Sequence, residues 1–285
     1  MGSIAPEDLS TQPLRFFIFG NNIAHSLSPT IHNAAFAHYG FPHHYSIHET
    51  TNIDASNRKL LNSPDFGGAS ITFPHKLSVQ PLLQSISPSA TSMGAVNTII
   101  VRHTDDGVRQ LHGDNTDWLG IRNCIARHHS STPKSAVVIG AGGAARAAVF
   151  AISHLGLRHV TIVNRSRATA QSLADSFPEM QFTICEALQE VKPADLIVGC
   201  IPADDVREED IPSQMFMESG GRVVEMSYRP PVSALMSVAR KRPGWTVFGG
   251  VDVLKEQAYA QFEIWTGRPA PVNIIQKALA ERQKL

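Results

Sequence analysis

The feature that most limits what this chain can fold into is the run Gly140-Ala141-Gly142-Gly143-Ala144-Ala145. It sits between the apolar stretch Ala136-Val137-Val138-Ile139 and an alanine-rich segment over 144–155. A second apolar stretch, Val160-Thr161-Ile162-Val163, follows. Strand, glycine turn, helix and strand in that order make a βαβ unit, which requires a parallel sheet. Each small residue answers a separate demand. Gly140 permits the tight turn, Gly142 lets a pyrophosphate approach the backbone, and Ala145 is small enough for the helix to pack on its strand. The open N–H groups and positive end of the helix then suit an anion. Glycine turns also exist for packing alone, so the flanking strands in register are what make the run predict a dinucleotide site.

The end of the second strand decides which dinucleotide. NAD sites place a carboxylate there, about 20 residues on, to accept the ribose 2′-hydroxyl. This strand instead ends in Asn164-Arg165-Ser166-Arg167. A guanidinium pairs with phosphate through a planar fork of donors, so NADP is predicted over NAD. The alternative is that Arg165 and Arg167 are a solvated loop before a helix.

Elsewhere strand-like and helix-like segments alternate, which predicts an α/β fold. Residues 14–19 read as a buried strand ending at Gly20, and Ser28-Pro29 as an N-cap with proline at the first helical position. Gly40 reads as the stop of that helix. Residues 69–73, 95–101 and 108–112 read as further strands, with 196–198 and 222–226 as later strands of the glycine-turn sheet. The stretch 121–134 is polar, His-rich and the most linker-like in composition. Val251, Leu254, Ala258 and Phe262 share one face of a helix over 251–265, and a last helix is predicted over 271–281.

Composition removes several classes of function. The 285 residues allow one large domain or two smaller ones, and a 42% hydrophobic content excludes wholesale disorder. Lys plus Arg and Asp plus Glu both number 25, so there is no cationic surplus to suggest nucleic acid. No segment has the length and apolarity of a membrane span, and the first residues lack a secretory pattern; Gly2 fits an acylation motif only loosely. Three scattered cysteines suit a reducing compartment, so a cytoplasmic protein with a short disordered lead-in is expected. The thirteen histidines show no convincing zinc spacing, and no metal is predicted.

Several polar residues of the first third have two readings. Ser26 and Ser28 before a helix are caps or carboxylate ligands. Thr72 and Lys76 end an apolar strand in ITFPHK, where a lone lysine is ordinarily a surface residue. Asn97 lies in an apolar segment, where an amide needs a partner. Asp114 and Asp117 in GDNTDWLG are turn and cap residues or catalytic ones. Gln257 and Gln261 lie one helical turn apart, so either can reach a cleft. His25 and His75 line a cleft or cap local turns.

Taken together, HSLSPTIHN (25–33), ITFPHK (71–76), GAVNT (94–98), GDNTDWLG (113–120), GAGGAARAA (140–148) and QFEIWTG (261–267) resemble the shikimate dehydrogenase family, in its order and over nearly the whole chain. The phrasing of FGGASITFPHK is most like the dehydrogenase domain of fungal arom polypeptides, here expected as a free-standing chain. The resemblance implies a two-lobed α/β protein. Residues 12–118 and 251–285 would form an N-terminal α/β substrate domain, and 119–250 a Rossmann-type NADP-binding domain. It implies reversible hydride transfer between 3-dehydroshikimate and shikimate, with Lys76 and Asp117 as the catalytic pair. Ser26 and Ser28 would bind the carboxylate, with Tyr228 nearby; Thr72, Asn97, Asp117 and Gln257 would bind ring hydroxyls. Gly140 to Ala145, Asn164 to Arg167 and the backbone at Gly250 would meet the cofactor. The implied partner is a cyclohexene carboxylate, with neither nucleic acid nor membrane, and the chain would be a monomer or homodimer. Asn22, Phe73, the run 227–231 and Val251-Asp252 depart from the family's usual residues. Alternative functions are a quinate or pathway-specific cyclohexane or cyclohexene carboxylate dehydrogenase, and a non-catalytic ligand-sensing homologue.

Overall fold

The computed structural model describes residues 12–127, 132–203 and 206–282. The lead-in with Gly2, and residues 128–131 of the linker-like stretch, lie outside the described residues. In chain order the chain forms β1 (Arg15–Gly20), α1 (Ser28–His38), β2 (His44–Glu49), α2 (Ala55–Leu61), β3 (Phe66–Ile71), β4 (Ser85–Ile86), α3 (Pro88–Met93), β5 (Thr98–His103) and β6 (Arg109–Asp114). It continues with α4 (Asp117–Ala126), β7 (Ala136–Ile139), α5 (Gly143–His154), β8 (His159–Val163), α6 (Arg167–Asp175), β9 (Gln181–Cys185) and β10 (Leu196–Gly199). The last elements are β11 (Gly221–Glu225), α7 (Ala234–Arg240), β12 (Trp245–Phe248), α8 (Gly250–Thr266) and α9 (Val272–Arg282).

These elements divide into two compact units. The first takes the described residues up to Thr91, then Ala95–Thr116, and the chain from Ala258 onward. Its sheet runs β2-β1-β3-β5-β6-β4, with β1 parallel to β2 and β3, and β5 antiparallel to both β3 and β6. Alternation along β1 sends Phe17 and Phe19 to one face, where they join Phe66, Ile71, Ile99 and Leu111. Phe16 faces the other way, onto Phe36 and Trp265. Both faces are covered, which is why the strand reads as an unbroken apolar run. The Trp265 indole N–H donates to the Ile99 carbonyl at 3.0 Å, tying α8 to β5.

The second unit takes Ser92–Gly94 and Asp117–Gln257. Six parallel strands run β12-β11-β10-β7-β8-β9, so the order reverses between β7 and β10. In doubly wound sheets such a reversal opens a crevice at the carboxyl ends of the strands, where ligands bind. Val137, Ile139, Ile197, Val223 and Leu235 build the core on one side. Trp245 stands edge-on to Phe216 within it.

The structure corrects four local expectations. Residues 121–126 belong to α4, with Ile121, Cys124 and Ile125 buried on one face; the polar composition there is an amphipathic helix's outer side. Helix α1 starts at Ser28 itself, with Leu27 at the N-cap and no side-chain cap. The predicted strands 69–73 and 95–101 are displaced, β3 stopping at Ile71 before the Phe73-Pro74 turn and β5 starting only at Thr98. Strands β4, β9 and β12 and helices α2 and α3 are elements that local composition does not mark.

Replacing Trp265 with Phe removes the hydrogen bond that meets a buried strand carbonyl. Trp265→Phe should lower the stability of the first unit by about 1–3 kcal/mol in urea unfolding. An unchanged midpoint would show that α8 is held to β5 by ring packing alone.

Candidate active site

Topology gathers the first unit's candidates at one sheet edge. Strands β1 and β3 are parallel, so the segments after Gly20 and after Ile71 leave from the same end. Strand β5 is antiparallel to β3, so Asn97, just before it, arrives at that end too; β6 finishes there at Asp114. Main-chain bonds stitch these segments together: Thr72 N donates to Phe19 O at 2.9 Å, Asn21 N to Phe73 O at 2.9 Å, and Val96 N to Lys76 O at 2.8 Å. Ser26, Ser28, Thr72, Lys76 and Asn97 therefore sit on adjoining segments. Ser26 and Ser28 are buried, and the Ser28 N–H donates to Ser26 Oγ at 3.3 Å. Thr72 and Lys76 are half-buried, while Phe73 beside them is 72% exposed.

His75 is buried in this turn with its Nε2 2.9 Å from the Thr50 carbonyl, which makes it a local brace. Among the described residues, no three His, Cys, Asp or Glu are grouped to hold a metal ion, and no helix is long and apolar enough to cross a membrane.

In the second unit, parallel strands bring the cofactor candidates to the carboxyl edge. Gly140 has φ +113°, and a Cβ there would lie 2.9 Å from Ile201 Cγ2 and 3.1 Å from the Cys200 carbonyl. Glycine is required at that position by both conformation and space. A Cβ at Gly142 would meet nothing within 4 Å. Gly142 is the N-cap of α5, which has no side-chain cap, whereas α2, α6 and α7 are capped by Asp54, Ser166 and Ser233. Uncapped first-turn N–H groups beside open space fit a phosphate. Ala141 and Ala145 are buried, and Gly143 and Ala144 half-buried, as packing against the sheet demands.

After β8, Asn164 Nδ2 donates to the Ser166 carbonyl at 2.9 Å, and Ser166 caps α6. Arg165 and Arg167 are exposed, and Arg167 lies 3.8 Å from Glu186. Gly250 opens α8 against the backbone of β11's exit, with a Cβ position only 2.6 Å from the Ser227 carbonyl oxygen. Half-buried Tyr228 follows directly. Asp252, a departure from the family pattern, accepts the Gly249 N–H at 3.1 Å and so serves as a helix cap. Asp117 opens α4 and is buried, as is Gln257 on α8. The two helices meet closely at Gly120, whose Cβ position is 2.7 Å from the Val253 carbonyl.

Glu225 is not among the sequence candidates. This carboxyl, at the end of β11, is buried; it accepts the Ser227 N–H at 3.0 Å and the Ser233 hydroxyl at 2.8 Å. It thereby holds both ends of the segment that carries Tyr228. Burial pushes its pKa up to about 7, against the pull of those hydrogen bonds. The only sequence signal was a lone acidic residue inside an apolar strand.

With a doubly wound sheet, an uncapped glycine turn and a mixed-sheet unit, the chain is of the two-unit, nucleotide-binding α/β class. Family profiles match residues 18–99 as "Shikimate dehydrogenase substrate binding domain", 125–219 as "Shikimate / quinate 5-dehydrogenase" and 250–280 as "Shikimate 5'-dehydrogenase C-terminal domain". The chain belongs to the shikimate dehydrogenase family. It is 42% identical over 270 residues to the pentafunctional AROM polypeptide of Malassezia globosa, covering 90% of this chain and 17% of that one. It is 38% identical over 322 residues to the quinate repressor protein of Emericella nidulans, covering 95% of this chain and 35% of that one. It therefore spans only a minor part of these relatives. A Thermus thermophilus shikimate 5-dehydrogenase solved with NADP(H) and shikimate superposes with a TM-score of 0.79 at 30% identity, covering 94% of this chain and 99% of that one.

Two tests follow from the geometry. Gly140→Ala should cost about 1–3 kcal/mol of stability, whereas Gly142→Ala should change it by less than about 0.5 kcal/mol. Equal losses in thermal melts would refute the different constraints on the two positions. For Glu225, the folded state keeps a proton that the unfolded chain gives up above its ordinary value near 4.5. Stability should fall as pH rises from about 4.5 through about 7, and Glu225→Gln should flatten that fall. A wild-type and variant pair with parallel pH profiles would remove Glu225 as its source.

Proposed function

We propose that this chain is an NADP-dependent oxidoreductase interconverting 3-dehydroshikimate and shikimate. The observation that carries the reading is the uncapped glycine turn at α5, paired with a β8 exit that bears Arg165 and no carboxylate. The Thermus thermophilus relative, whose solved complex contains NADP(H) and shikimate, supports it. The nucleotide domain is 119–250; the substrate domain is 12–118 with 251–285. The bound NADP supplies or accepts the hydride.

The chain's residues do the rest. Gly140 to Ala145 present backbone N–H groups to the pyrophosphate, and Asn164 to Arg167 take the 2′-phosphate. Gly250 keeps backbone beside the nicotinamide. Ser26, Ser28 and Tyr228 hold the substrate carboxylate; Thr72, Asn97, Asp117 and Gln257 hold ring hydroxyls. Hydride arriving at the ring carbonyl carbon puts negative charge on its oxygen. Lys76 stabilises that charge and delivers the proton that completes the hydroxyl, with Asp117 orienting the ammonium. In oxidation, neutral Lys76 takes the hydroxyl proton as hydride leaves the same carbon. The chain works in the cytoplasm as a monomer or homodimer, consistent with its three scattered cysteines.

A second reading, a ligand sensor without turnover, draws on the likeness to a quinate repressor. Lys76, Asp117 and the glycine turn all stand in this chain, and a sensor has no use for the acid/base pair. Following NADPH absorbance with shikimate, quinate and related acids, each with NADP or NAD, separates the readings. Turnover of shikimate with NADP is expected; binding without turnover would make the sensor reading correct. Lys76→Ala should lower kcat by at least ~100-fold while NADP still binds. Arg165→Asp should raise KM for NADP without raising it for NAD; an unchanged preference would place 2′-phosphate recognition elsewhere.

A further inference from the structure

We propose that Glu49 is a positioning residue: by accepting the Asn22 N–H it fixes the turn that delivers Ser26 and Ser28 to the substrate carboxylate. The proposal rests on the substrate reading above for the role of the two serines. All of these residues belong to the first unit.

Among the described residues, Asn22 is the one non-glycine residue in the left-handed region, with φ +54°. Asparagine tolerates that conformation better than most side chains, but it is still a minority state. Such backbone persists where its neighbours over-determine it, and it gathers at ligand sites. Here the restraints are all main-chain bonds around one short connection between β1 and α1. The Gly20 carbonyl accepts the Thr50 N–H at 2.7 Å, and the Asn21 N–H donates to the Phe73 carbonyl at 2.9 Å. The Asn22 N–H donates to Glu49 Oε1 at 2.9 Å. Ile23 is buried, and its carbonyl accepts the Ser26 N–H at 2.8 Å. Ser26 and Ser28 follow directly, both buried.

Glu49 is the only side chain among these restraints that forms a hydrogen bond. The other bonds would survive its loss, while Asn22 would be released to the commoner backbone regions and turn the chain that leads to Ser26. The same β2 exit also reaches the lysine turn. The Thr50 carbonyl can only accept, so the His75 nitrogen 2.9 Å from it, Nε2, carries the proton. Glu49 and Thr50 thus join the serine turn and the Lys76 turn at one strand end. Glu49 is exposed, so its bond adds little to the stability of the fold, and its consequence is the placement of the serines.

The test uses the full chain as wild type, Glu49→Gln, Glu49→Ala and Asn22→Gly. Calorimetry reads the affinity for shikimate, for shikimate methyl ester, which lacks the anionic carboxylate, and for NADP. Glu49→Gln keeps an acceptor oxygen, and Asn22→Gly keeps the N–H at a φ that glycine adopts freely. Both should bind shikimate within ~3-fold of wild type. Glu49→Ala should weaken shikimate by ~10-fold while the ester and NADP change by under ~3-fold. The sign is diagnostic, because Glu49 is itself an anion. If it acted through charge alone, Glu49→Ala and Glu49→Gln would both tighten shikimate, and that result overturns the proposal. An equal loss for shikimate and its ester, or wild-type binding by Glu49→Ala, overturns it too. Should Glu49→Ala not fold, Glu49→Asp keeps the charge but withdraws the oxygen by one methylene, and should weaken shikimate in the same selective way. Ser26→Ala and Ser28→Ala variants that leave the ratio of shikimate to ester affinity unchanged would overturn the substrate reading instead. Hydrogen exchange then still judges the turn. The Asn22 amide should exchange slowly in wild type and Glu49→Gln and at least ~10-fold faster in Glu49→Ala; equal rates in all three overturn the proposal.

Discussion

An amide that enters an apolar sheet must have its hydrogen bonds met, because each buried polar atom left alone costs as much as a core defect. In the first unit that demand is concentrated at Asn97. Its carbonyl accepts the Ile71 N–H at 2.6 Å, its N–H donates to Asp114 at 3.0 Å, and its side chain bonds Thr116 and Thr98. Strands β3, β5 and β6 and helix α8 are thereby tied at one residue. The segment that carries Lys76 is bonded to Val96, the residue before it.

The second unit solves a different problem. Its sheet is wholly parallel, so every strand delivers its exit to the same edge, and each exit needs a turn that does not obstruct the crevice. The β7 exit bends at a glycine that no side chain can replace, then leaves its helix end uncapped. The β8 exit spends its hydroxyl on capping α6 and turns its arginines outward. The β11 exit is held by an internal carboxyl. One edge thus combines an uncapped helix end with two segments braced by their own side chains.

Much of this was legible in the residues. The glycine run, the strands around it and the long helix near 251–265 carry strong local periodicity, and the structure places them within a residue or two. Less was legible where burial depends on distant partners. Strand β2 alternates with polar residues because Asn33 and Asn57 bond it from the two flanking helices, 12 and 9 positions from their partners. Helix α4 reads as a linker because its outer side carries Arg122 and Asn123. The choice between Gln257 and Gln261 was open, since spacing puts both on one helical face; only the partners of Gln261, 163 and 191 positions away, distinguish them. Glu225 shows in the sequence only as a lone acid in an apolar strand; its meaning lies in its bonds to Ser227 and Ser233.

The three tryptophans are partitioned by the fold: Trp265 in the first unit, Trp118 and Trp245 in the second. Trp265 is enclosed and donates to a carbonyl, while Trp118 lies under the Arg122 guanidinium and edge-on to Phe150. Each unit therefore carries its own intrinsic fluorophore in a distinct environment. Chains reduced to a single indole would report by emission wavelength whether the halves of this molecule melt as one cooperative body or in succession.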